Sequence, residues 1–496
     1  MRVPLLGPVL DRLGRAPRTL PRVVEAAAAR WPDREALVCG GDRLTYGELD
    51  RRATALCRGL RALGVERGEG VAAMLPNCTD LVLSFLAAAR LGAVFVPVDI
   101  YHRRPELERL LEDGEVSALI VGPELGELAG QARSNVPRVR HLVPADALEG
   151  LSRAARGVGP GPAAVRPRDE LLYLHTSGTT GRAKGVLLGH ERAIAIGRAW
   201  RAELDLRGDD RCYTLAPLFR SPALLSVVVG GLWYGIPMVI PPGFRPERVW
   251  DELAAERVTL LHANPYHYAL LANAPPGPTG PIPLRRCYST GNRLPPAVAR
   301  KFVARFGVPI EERYGTSEAG GISSNGRPLR GVRIRIVGRD GRRLGPNELG
   351  EVAVRTPVMA DGYRGRPDLT RESFRGGWFH TGDLGRIDAH GRLEIVRRKK
   401  TVVLSGGREV YADEVEQVIL SHPKVREAMV IRAEPGAGAA LVALVVLRGR
   451  FTVEKLRGYC SARLADHKLP LFEARRELPR SWKAVARSDY PRWGEV

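Results

Sequence analysis

The stretch that decides the fold class reads LLYLHTSGTTGRAKGVLLGH and runs from Leu171 to His190. Two apolar runs of strand-forming residues flank a loop rich in Ser, Thr and Gly, and Lys184 follows that loop. Glycine lets the backbone turn and present N–H groups to an anion, hydroxyl groups add donors, and lysine adds positive charge, so the composition suits a polyphosphate. The alternative is a flexible Ser/Thr/Gly hairpin. The two neighbouring strands and the lysine favour the phosphate loop.

Helices that alternate with apolar strands precede this segment. Thr45 and Glu48 form a capping box at the start of a predicted helix, whose apolar residues recur at three- and four-residue spacing. The pattern then predicts a strand over 71–76, a helix over 80–91 and a buried strand over 93–98. Such alternation indicates an α/β fold with a parallel sheet.

The length and composition are those of a folded protein with more than one domain. The chain has 496 residues, of which 44% are hydrophobic and 26% charged, so global disorder and fibrous repeats are excluded. From about residue 400 the pattern changes to short helices and strands. We therefore predict a large N-terminal α/β domain over 1–397, with mixed and parallel sheets and helices, and a small mobile α+β C-terminal domain over 398–496.

The net charge of +21 raises the question of an anionic partner. Nucleic acid, an anionic membrane and anionic small molecules are all compatible with such an excess. Residues 397–496 contain 20 basic and 12 acidic residues, so no single tail holds the positive charge, and we expect no nucleic-acid partner. Only eight of the 76 basic residues are lysines, which makes each lysine a candidate for a specific role.

The cysteines and the apolar stretches point to a cytoplasmic protein. The six cysteines include no C-x-x-C pair, so buried thiols are expected rather than disulfides or a zinc site. The long apolar stretch over 81–98 is interrupted by Arg90 and Pro97, and residues 1–18 do not have the pattern of a signal peptide. We expect no membrane span.

The phosphate-loop segment resembles the signature of the adenylate-forming superfamily, which contains acyl-CoA synthetases, nonribosomal-peptide adenylation domains and luciferases. Further motifs follow in that family's order, including LTYGELD over 44–50 and FLAAARLGAVFVPVD over 85–99. The pattern is most similar to that of acyl-CoA synthetases and covers essentially the whole chain. The resemblance implies that the loop binds the phosphates of ATP. The residues concerned are Thr176, Ser177, Gly178, Thr179, Thr180, Gly181 and Lys184.

Two further motifs resemble the family's nucleotide site. The run Tyr314-Gly315-Thr316-Ser317-Glu318 is similar to its aromatic-G-x-T-E motif, in which an aromatic face can stack on adenine, a hydroxyl can reach phosphate, and a carboxylate can hold Mg²⁺. In the run His380-Thr381-Gly382-Asp383, the resemblance implies that Asp383 accepts hydrogen bonds from both ribose hydroxyls. A core tyrosine beside a turn and an ordinary turn are the structural alternatives.

The run Arg397-Arg398-Lys399-Lys400-Thr401 resembles the family's junction between domains, although the family has Gly where Arg397 stands and Asp where Thr401 stands. By that resemblance Arg398 contacts ribose or phosphate and Lys400 is the hinge about which the small domain rotates. The loop that contains Ser405, Gly406 and Gly407 then faces the acceptor.

The terminal motif departs from the family pattern. Relatives have a lysine that bridges the carboxylate and the α-phosphate, and this chain is one residue shorter between Pro479 and Arg487. Lys483 stands one place before the aligned position, which Ala484 occupies. We assign the catalytic role to Lys483, together with Glu318, Thr176 and Lys184. The alternative is a surface lysine in an enzyme with impaired adenylation.

The predicted acid-binding pocket also departs from the family pattern. Arg220 follows Pro217-Leu218-Phe219, where acyl-CoA synthetases commonly have histidine. Because its guanidinium is permanently charged, Arg220 could bind a second acidic or polar group of the acid, or it could point outward. The resemblance gives further wall residues. They are His262, Asn264, Tyr266, Ser289, Thr290 and Gly291.

The implied reaction is ATP-dependent activation of a small-molecule carboxylic acid through an acyl adenylate, followed by thioester formation with CoA. Mg²⁺ accompanies ATP. Two alternatives stay open: transfer of the acyl group to an amine, a carrier-protein thiol or another nucleophile, and a nucleotide-binding relative with impaired catalysis. The sequence does not specify the acid.

Overall fold

In the described part of the chain, the computed structural model has five β-sheets, and helices connect many of their strands. The structure describes residues 16–102, 104–157, 159, 165–176, 184–274, 282–338, 340–398, 402–405, 408–432, 441–464, 466–476 and 478.

The strands are β1 (Glu35–Cys39), β2 (Asp42–Thr45), β3 (Gly70–Met74), β4 (Val94–Pro97), β5 (Val116–Val121), β6 (His141–Pro144), β7 (Glu170–Thr176), β8 (Lys184–Gly189), β9 (Cys212–Thr214), β10 (Met238–Val239), β11 (Leu260–Ala263), β12 (Arg286–Ser289), β13 (Ile310–Thr316), β14 (Gly320–Ser324), β15 (Arg327–Pro328), β16 (Arg333–Val337), β17 (Gly350–Arg355), β18 (Phe374–Arg375), β19 (Trp378–Ile387), β20 (Leu393–Arg398), β21 (Val402–Ser405), β22 (Arg408–Tyr411), β23 (Val425–Arg432), β24 (Leu441–Leu447) and β25 (Leu471–Ala474).

The α-helices are α1 (Leu20–Arg30), α2 (Tyr46–Ala62), α3 (Thr79–Leu91), α4 (Arg104–Asp113), α5 (Gly126–Asn135), α6 (Leu148–Ala154), α7 (His190–Leu204), α8 (Gly230–Tyr234), α9 (Pro246–Ala255), α10 (Pro265–Asn273), α11 (Pro296–Phe306), α12 (Pro367–Ser373), α13 (Ala412–Leu420) and α14 (Val453–Ser461). A π-helical stretch over Pro222–Val229 leads directly into α8.

Two large sheets form the body of the protein. The first has the strand order β6-β5-β3-β4-β7-β8, in which all neighbours are parallel except the antiparallel pair β7 and β8. The second has the order β15-β14-β13-β12-β11-β9-β10-β1-β2 and is parallel from β13 to β1. The parallel core with antiparallel edges confirms the predicted α/β class.

The smaller sheets are antiparallel or mixed. Strands β16 to β20 form an antiparallel sheet, which carries the segment that ends at Arg398. Beyond it lie the hairpin of β21 and β22 and the sheet β23-β24-β25, whose hydrophobic cluster includes side chains of α13 and α14. This C-terminal part is a smaller α+β unit, in agreement with the predicted fold class.

The main core lies between the two large sheets and the helices that pack on them. Side chains from α1, α2, α3 and α7 join those of both sheets in one hydrophobic cluster. Phe85 of α3 and Phe95 of β4 are fully buried in it, with ring centroids 5.3 Å apart. Burial of such a side chain stabilises the fold by about 1.5–3 kcal/mol. The core therefore fixes the two sheets against each other and sets the position of their edges.

The predicted capping box and the predicted helix end at Gly92 are both confirmed. The Thr45 hydroxyl accepts a hydrogen bond from the Glu48 backbone N–H at 3.1 Å, and Glu48 accepts one from Thr45 N at 2.9 Å, so the capping box opens α2. Helix α3 ends at Gly92, whose φ of 77° is in the left-handed region that favours glycine. All six cysteines are free thiols. None of the helices in the described ranges combines the length and apolar character needed to cross a bilayer.

Candidate functional site

The predicted site residues gather where parallel strands of the two large sheets end. Strand β7 ends at Thr176, β13 ends at Thr316, and Thr290 directly follows β12. The carboxyl ends of parallel strands are where α/β sheets bind their ligands, because the loops that follow the strands meet there. The fold thus brings motifs that are more than a hundred residues apart to one edge.

Lys184, Tyr363 and Glu318 form the central cluster of this edge. The Lys184 Nζ atom lies 4.5 Å from the centroid of the Tyr363 ring, a cation–π contact. The Tyr363 hydroxyl donates a hydrogen bond of 2.8 Å to Glu318 Oε1. All three residues are buried, with exposed fractions of 9% or less. Tyr363 therefore contacts the lysine of the phosphate loop through its ring and the carboxylate of the YGTSE motif through its hydroxyl.

Backbone pairing fixes the position of Tyr363. Tyr363 forms an antiparallel bridge with Val186 of β8, and the N–H of Arg364 donates to Gly185 O at 3.0 Å. On the other side, Ala360 N donates to Glu318 O at 2.7 Å. The segment over 360–364 thus links the first sheet to the end of the second sheet. The relative position of Lys184 and Glu318 follows from this link.

Tyr314 and Asp383 form the second contact of the site. The Tyr314 hydroxyl donates a hydrogen bond of 2.6 Å to Asp383 Oδ2, and Asp383 is buried. The Asp383 backbone N–H donates to the Thr381 hydroxyl at 3.1 Å, and Gly382 between them has a φ of 72°. This turn interrupts β19 and aims the carboxylate at the second sheet. Two motifs that resemble parts of a nucleotide site are therefore in direct contact.

Arg398 lies opposite Asp383 in the antiparallel pair of β20 and β19. This register places the two predicted ribose-contacting residues on neighbouring strands. For Thr176, Arg398 and Ser405 the structure describes the strand position alone. The other predicted residues Ser177, Gly178, Thr179, Thr180, Gly181, Lys400, Gly406, Gly407 and Lys483 lie outside the described residues.

A cavity that is partly open to solvent lies between α7, the π-helical stretch and the hairpin of β13 and β14. Part of its wall consists of predicted site residues. These are Thr290, Gly291, Tyr314, Gly315, Thr316 and Ser317. The Ser317 hydroxyl also lies 3.3 Å from that of Ser221. Because the cavity shares residues 314–317 with the nucleotide motif, a ligand in it would lie beside a bound nucleotide.

His262 and Ser289 lie behind this cavity wall. The His262 ring stacks on Tyr288, with centroids 4.5 Å apart, and its nitrogens lie 3.0 Å from the Thr214 hydroxyl and 2.8 Å from the Thr290 hydroxyl. Complete burial lowers the pKa of His262 to about 3, so the ring is neutral at physiological pH. His262 therefore holds Thr290 from behind through this contact, and Thr290 and Gly291 form the surface of the cavity wall.

Arg220 lines neither this cavity nor a second cleft, whose wall contains Asn264 and Tyr266. Its Nη2 atom lies 3.5 Å from Asp99 Oδ2, and its guanidinium lies over the Phe219 ring with its Cζ atom 5.5 Å from the centroid. Burial raises the pKa of Asp99, while the charge of Arg220 lowers it. The contact of Arg220 with the acid remains a prediction.

The second cleft contains Asn264 and Tyr266 in its wall. Pro217 and Phe219 line it from another side, with Tyr101 at its edge. The Asn264 side chain caps α10 by accepting a hydrogen bond from His267 N at 3.1 Å. The predicted pocket residues thus divide between two spaces, Thr290 and Gly291 in the first and Asn264 and Tyr266 in the second.

Sequence reasoning missed the role of Tyr363. The pattern Gly362-Tyr363 reads as a structural turn, and Gly362 does have a positive φ of 151°. Nothing in the local sequence indicates that the ring lies between Lys184 and Glu318, because both contacts join distant parts of the chain. A buried tyrosine with an acidic acceptor is visible only in the folded protein.

One carboxylate of the site is suited to a divalent cation. Within the described ranges, no cluster of three or more His, Cys, Asp or Glu residues could hold a metal ion by itself. Mg²⁺ differs from other metals in that it commonly binds through one or two carboxylates together with substrate phosphates. Glu318, beside the end of the phosphate loop, fits that mode of binding.

The chain belongs to the family of AMP-binding enzymes. The family model described as "AMP-binding enzyme" matches residues 24–364, and the model "AMP-binding enzyme C-terminal domain" matches residues 414–481. This confirms the resemblance to the adenylate-forming superfamily that the motifs indicate.

Curated relatives and solved structures agree with this assignment. The chain is 32% identical to a sulfoacetate–CoA ligase of Cupriavidus necator over 93% of this chain and 95% of that protein. It is 34% identical to a feruloyl-CoA synthase of Amycolatopsis sp. over 89% of this chain and 93% of that protein. The structure of an O-succinylbenzoate coenzyme A synthetase from Bacillus subtilis in complex with AMP matches with a TM-score of 0.79 and 26% identity, covering 94% of this chain and 96% of that one. The family and the relatives together identify an AMP-forming acid–thiol ligase of the acyl-CoA synthetase type.

Proposed function

We propose that the protein activates a small carboxylic acid with ATP through an acyl adenylate and transfers the acyl group to CoA. The observation that carries this proposal is the Lys184–Tyr363–Glu318 cluster, which joins the phosphate-loop lysine to the carboxylate of the YGTSE motif. The contact of Tyr314 with Asp383 supports a nucleotide site beside it.

In the first step, a carboxylate oxygen of the acid attacks the α-phosphorus of ATP, and the bond to pyrophosphate breaks. Thr176, residues 177–181 and Lys184 hold the phosphates, while Asp383 and Arg398 bind the ribose and Tyr314 the adenine. Lys483 stabilises the negative charge that develops on the attacked phosphate. Positioning of the acid and the nucleotide against one another provides much of the remaining acceleration.

Glu318 is the residue that we propose to hold Mg²⁺. The ion screens the phosphate charges when it is bound. The Tyr363 hydroxyl donates a hydrogen bond to one carboxylate oxygen of Glu318 and so fixes the orientation of the carboxylate. Because this hydrogen bond fixes the carboxylate, it also sets the position of the other oxygen of Glu318, which we propose to face the Mg²⁺ ion.

In the second step, the thiol of CoA attacks the carbonyl carbon of the adenylate, the thiol proton is lost, and AMP leaves. We propose that the C-terminal domain turns about Lys400 between the two steps and brings Ser405, Gly406 and Gly407 to the acceptor. The division of the chain at 397 and 398 is part of this proposal.

The names of the relatives do not identify the carboxylic acid that this protein activates. Sulfoacetate and ferulate, which the names of two relatives give, differ in size and charge, and both relatives are about one-third identical to this chain. The choice of acid must therefore come from the cavity of this protein.

ATP–pyrophosphate exchange with a panel of aliphatic and aromatic acids tests the proposal. We expect exchange with at least one acid, and consumption of CoA in step with that acid. Exchange without CoA consumption would indicate an amine or a carrier-protein thiol as the acceptor. No exchange with any acid would contradict adenylation and favour a nucleotide-binding relative.

Lys483→Ala tests the shifted terminal lysine within the same assay. We expect exchange to fall by about 100-fold or more, because the positive charge acts on the transition state of adenylation. Lys455→Ala is the control, since Lys455 is an exposed residue on α14. Equal exchange activities of the two variants would show that Lys483 has no role in adenylation.

A further inference from the structure

A buried ion pair lies in the wall of the cavity between α7 and the β13–β14 hairpin and has no part in the proposed chemistry. Arg313 of β13 donates from Nη1 to a carboxylate oxygen of Glu203 in the last turn of α7, and from Nη2 to the Glu203 backbone oxygen at 2.6 Å. The side chains are 8% and 15% exposed, respectively. We call these two residues the Glu203–Arg313 pair.

The pair lies inward from the strand ends that form the nucleotide site. Arg313 precedes Thr316, the last residue of β13, by three positions, which corresponds to about 10 Å along a strand. An acid whose carboxylate lies at the strand ends would therefore reach the pair with a group about 10 Å away. That length corresponds to one aromatic ring, a short linker and a ring substituent.

The charges around the pair are balanced. Arg313 Nη2 also lies 3.4 Å from Glu311 Oε2, and Glu311 Oε1 accepts a hydrogen bond of 2.8 Å from Arg286 Nη1. The four side chains carry two positive and two negative charges. A second anionic group on the acid would lie beside the Glu203 carboxylate with no surplus positive charge to offset it, and burial strengthens that repulsion.

Hydrogen-bonding capacity nevertheless remains at the pair. The second carboxylate oxygen of Glu203 faces the hairpin floor, because a Cβ atom at Gly321 would lie 3.4 Å from Glu203 Oε1. A neutral hydroxyl group could donate to Glu203 Oε1, whereas an unsubstituted hydrocarbon would leave that oxygen without a donor from the acid.

The rest of the cavity wall is mainly apolar, with hydroxyl groups at Ser221, Ser226 and Thr290. Gly315 and Gly321 are paired in the β13–β14 hairpin, so the floor is bare backbone there. The Tyr288 ring and the side chains of Ile196 and Leu225 add apolar wall. A planar ring can lie against this backbone floor, whereas a branched chain would contact it less closely.

We infer that the Glu203–Arg313 pair determines acid specificity and selects a planar aromatic acid with a neutral hydroxyl group at the end remote from the carboxylate. The inference rests on the proposed function, since it takes the cavity to hold the acid that is adenylated. It adds the class of acid and the residues that recognise it.

The test compares three acids of one shape in ATP–pyrophosphate exchange: cinnamate, 4-hydroxycinnamate and 4-carboxycinnamate. We expect the wild-type kcat/KM for the hydroxylated acid to exceed that for each of the others by tenfold or more. Equal values for the three acids would overturn the inference and leave adenylation intact. Should no acid support exchange, calorimetric titration of the three acids with the wild-type protein decides, and equal affinities or no binding would overturn it.

Glu203→Gln provides a readout that a merely structural ion pair would not change. The variant removes one negative charge, so the network gains a net positive charge. We expect kcat/KM for 4-carboxycinnamate to rise and that for 4-hydroxycinnamate to fall, mainly through KM, so that their ratio changes by at least tenfold. A parallel loss for all three acids would contradict the role in specificity.

Two further variants serve as controls for the acid-specificity test. Glu149→Gln is the matched control, because Glu149 is 83% exposed and pairs with Arg153, a neighbour one helical turn away. Gly321→Ala adds a methyl group beside Glu203 Oε1 and 2.8 Å from the flexible Leu329 Cδ1, so it narrows the cavity and leaves the charges unchanged. We expect Gly321→Ala to lower activity with the two substituted cinnamates at least tenfold relative to acetate. Unchanged ratios would place the acid elsewhere.

Discussion

Tyr363 shows how a single side chain links two functional motifs. Its ring contacts the Lys184 ammonium group, and its hydroxyl donates to Glu318. A hydrogen bond to a charged group contributes about 1.5–3 kcal/mol, which is large enough to decide the orientation of a buried carboxylate. The ring and the hydroxyl therefore perform separate tasks that a conservative substitution can distinguish.

Tyr363→Phe keeps the ring under Lys184 and removes the donor to Glu318. We expect the rate of ATP–pyrophosphate exchange to fall by about tenfold to a hundredfold, with a higher Mg²⁺ concentration needed for half-maximal activity. The measurement is exchange as a function of Mg²⁺ concentration. Tyr459→Phe is the control, because the Tyr459 hydroxyl contacts Ser421 in the C-terminal domain. An unchanged Mg²⁺ dependence would refute the role of the hydroxyl.

At this scale the sequence predicts residue types well and contacts poorly. Lys184, Glu318 and Asp383 are recognisable because each belongs to a short motif of unusual composition. The contact between Tyr363 and Glu318 joins residues 45 positions apart, and that between Arg313 and Glu203 joins residues 110 positions apart. Such contacts depend on how the sheets pack, which no local pattern records.

At the scale of elements, His190 connects the start of α7 to α1. Its Nδ1 atom accepts a hydrogen bond of 3.1 Å from the Leu20 backbone N–H, and the residue is fully buried. Burial lowers the pKa of His190 to about 4, because the charged ring would be cut off from water. The junction of the two helices therefore requires a neutral imidazole.

This requirement makes stability depend on pH. In the unfolded chain a histidine has a pKa of about 6.5, so the unfolded state binds the proton more tightly. The contribution of His190 is complete above about pH 6.5 and is lost as the pH falls toward 4. Between pH 7 and pH 5 we expect this one group to lower the free energy of unfolding by about 2 kcal/mol.

Urea unfolding of His190→Asn at the two pH values measures this contribution. Asparagine keeps an acceptor for the Leu20 N–H and does not titrate, so we expect a smaller loss of stability than in the wild type. His390→Asn, in an exposed turn, is the control. A full wild-type loss in His190→Asn would assign the pH dependence to other groups, such as His262 and His267, whose pKa values burial lowers to about 3.

The elements themselves were largely predictable where local signals are strong. The capping box of Thr45 fixes the start of α2, Gly92 ends α3, and the β-branched run that follows lies in the parallel sheet, as expected. The sequence does not indicate the π-helical stretch over Pro222–Val229, because a uniformly apolar segment has no period that distinguishes one helix type from another.

At the scale of the whole molecule, the proposal requires the C-terminal domain to move between the two steps. Lys400→Pro restricts the backbone at the proposed hinge without changing the nucleotide-binding motifs. We expect ATP–pyrophosphate exchange to stay within about threefold of the wild type, while thioester formation falls at least tenfold. Equal loss of both activities would argue against a separate domain movement.

The whole-molecule charge has a different meaning from the one that the composition first suggests. A net charge of +21 is compatible with nucleic acid, but many arginines serve structural ion pairs, such as Arg285 with the buried Asp210 and Arg313 with Glu203. The spread of charge also suits a protein whose proposed substrates, ATP and CoA, are polyanions.

The central claim is that the chain forms AMP while it joins an acid to CoA. Its most direct test is the product balance of the wild-type protein with ATP, Mg²⁺, CoA and the best acid of the panel, measured by chromatography. We expect one AMP and one pyrophosphate for each acyl-CoA thioester formed, and no reaction without the acid. Formation of ADP and phosphate, or nucleotide turnover that does not depend on the acid, would contradict the account.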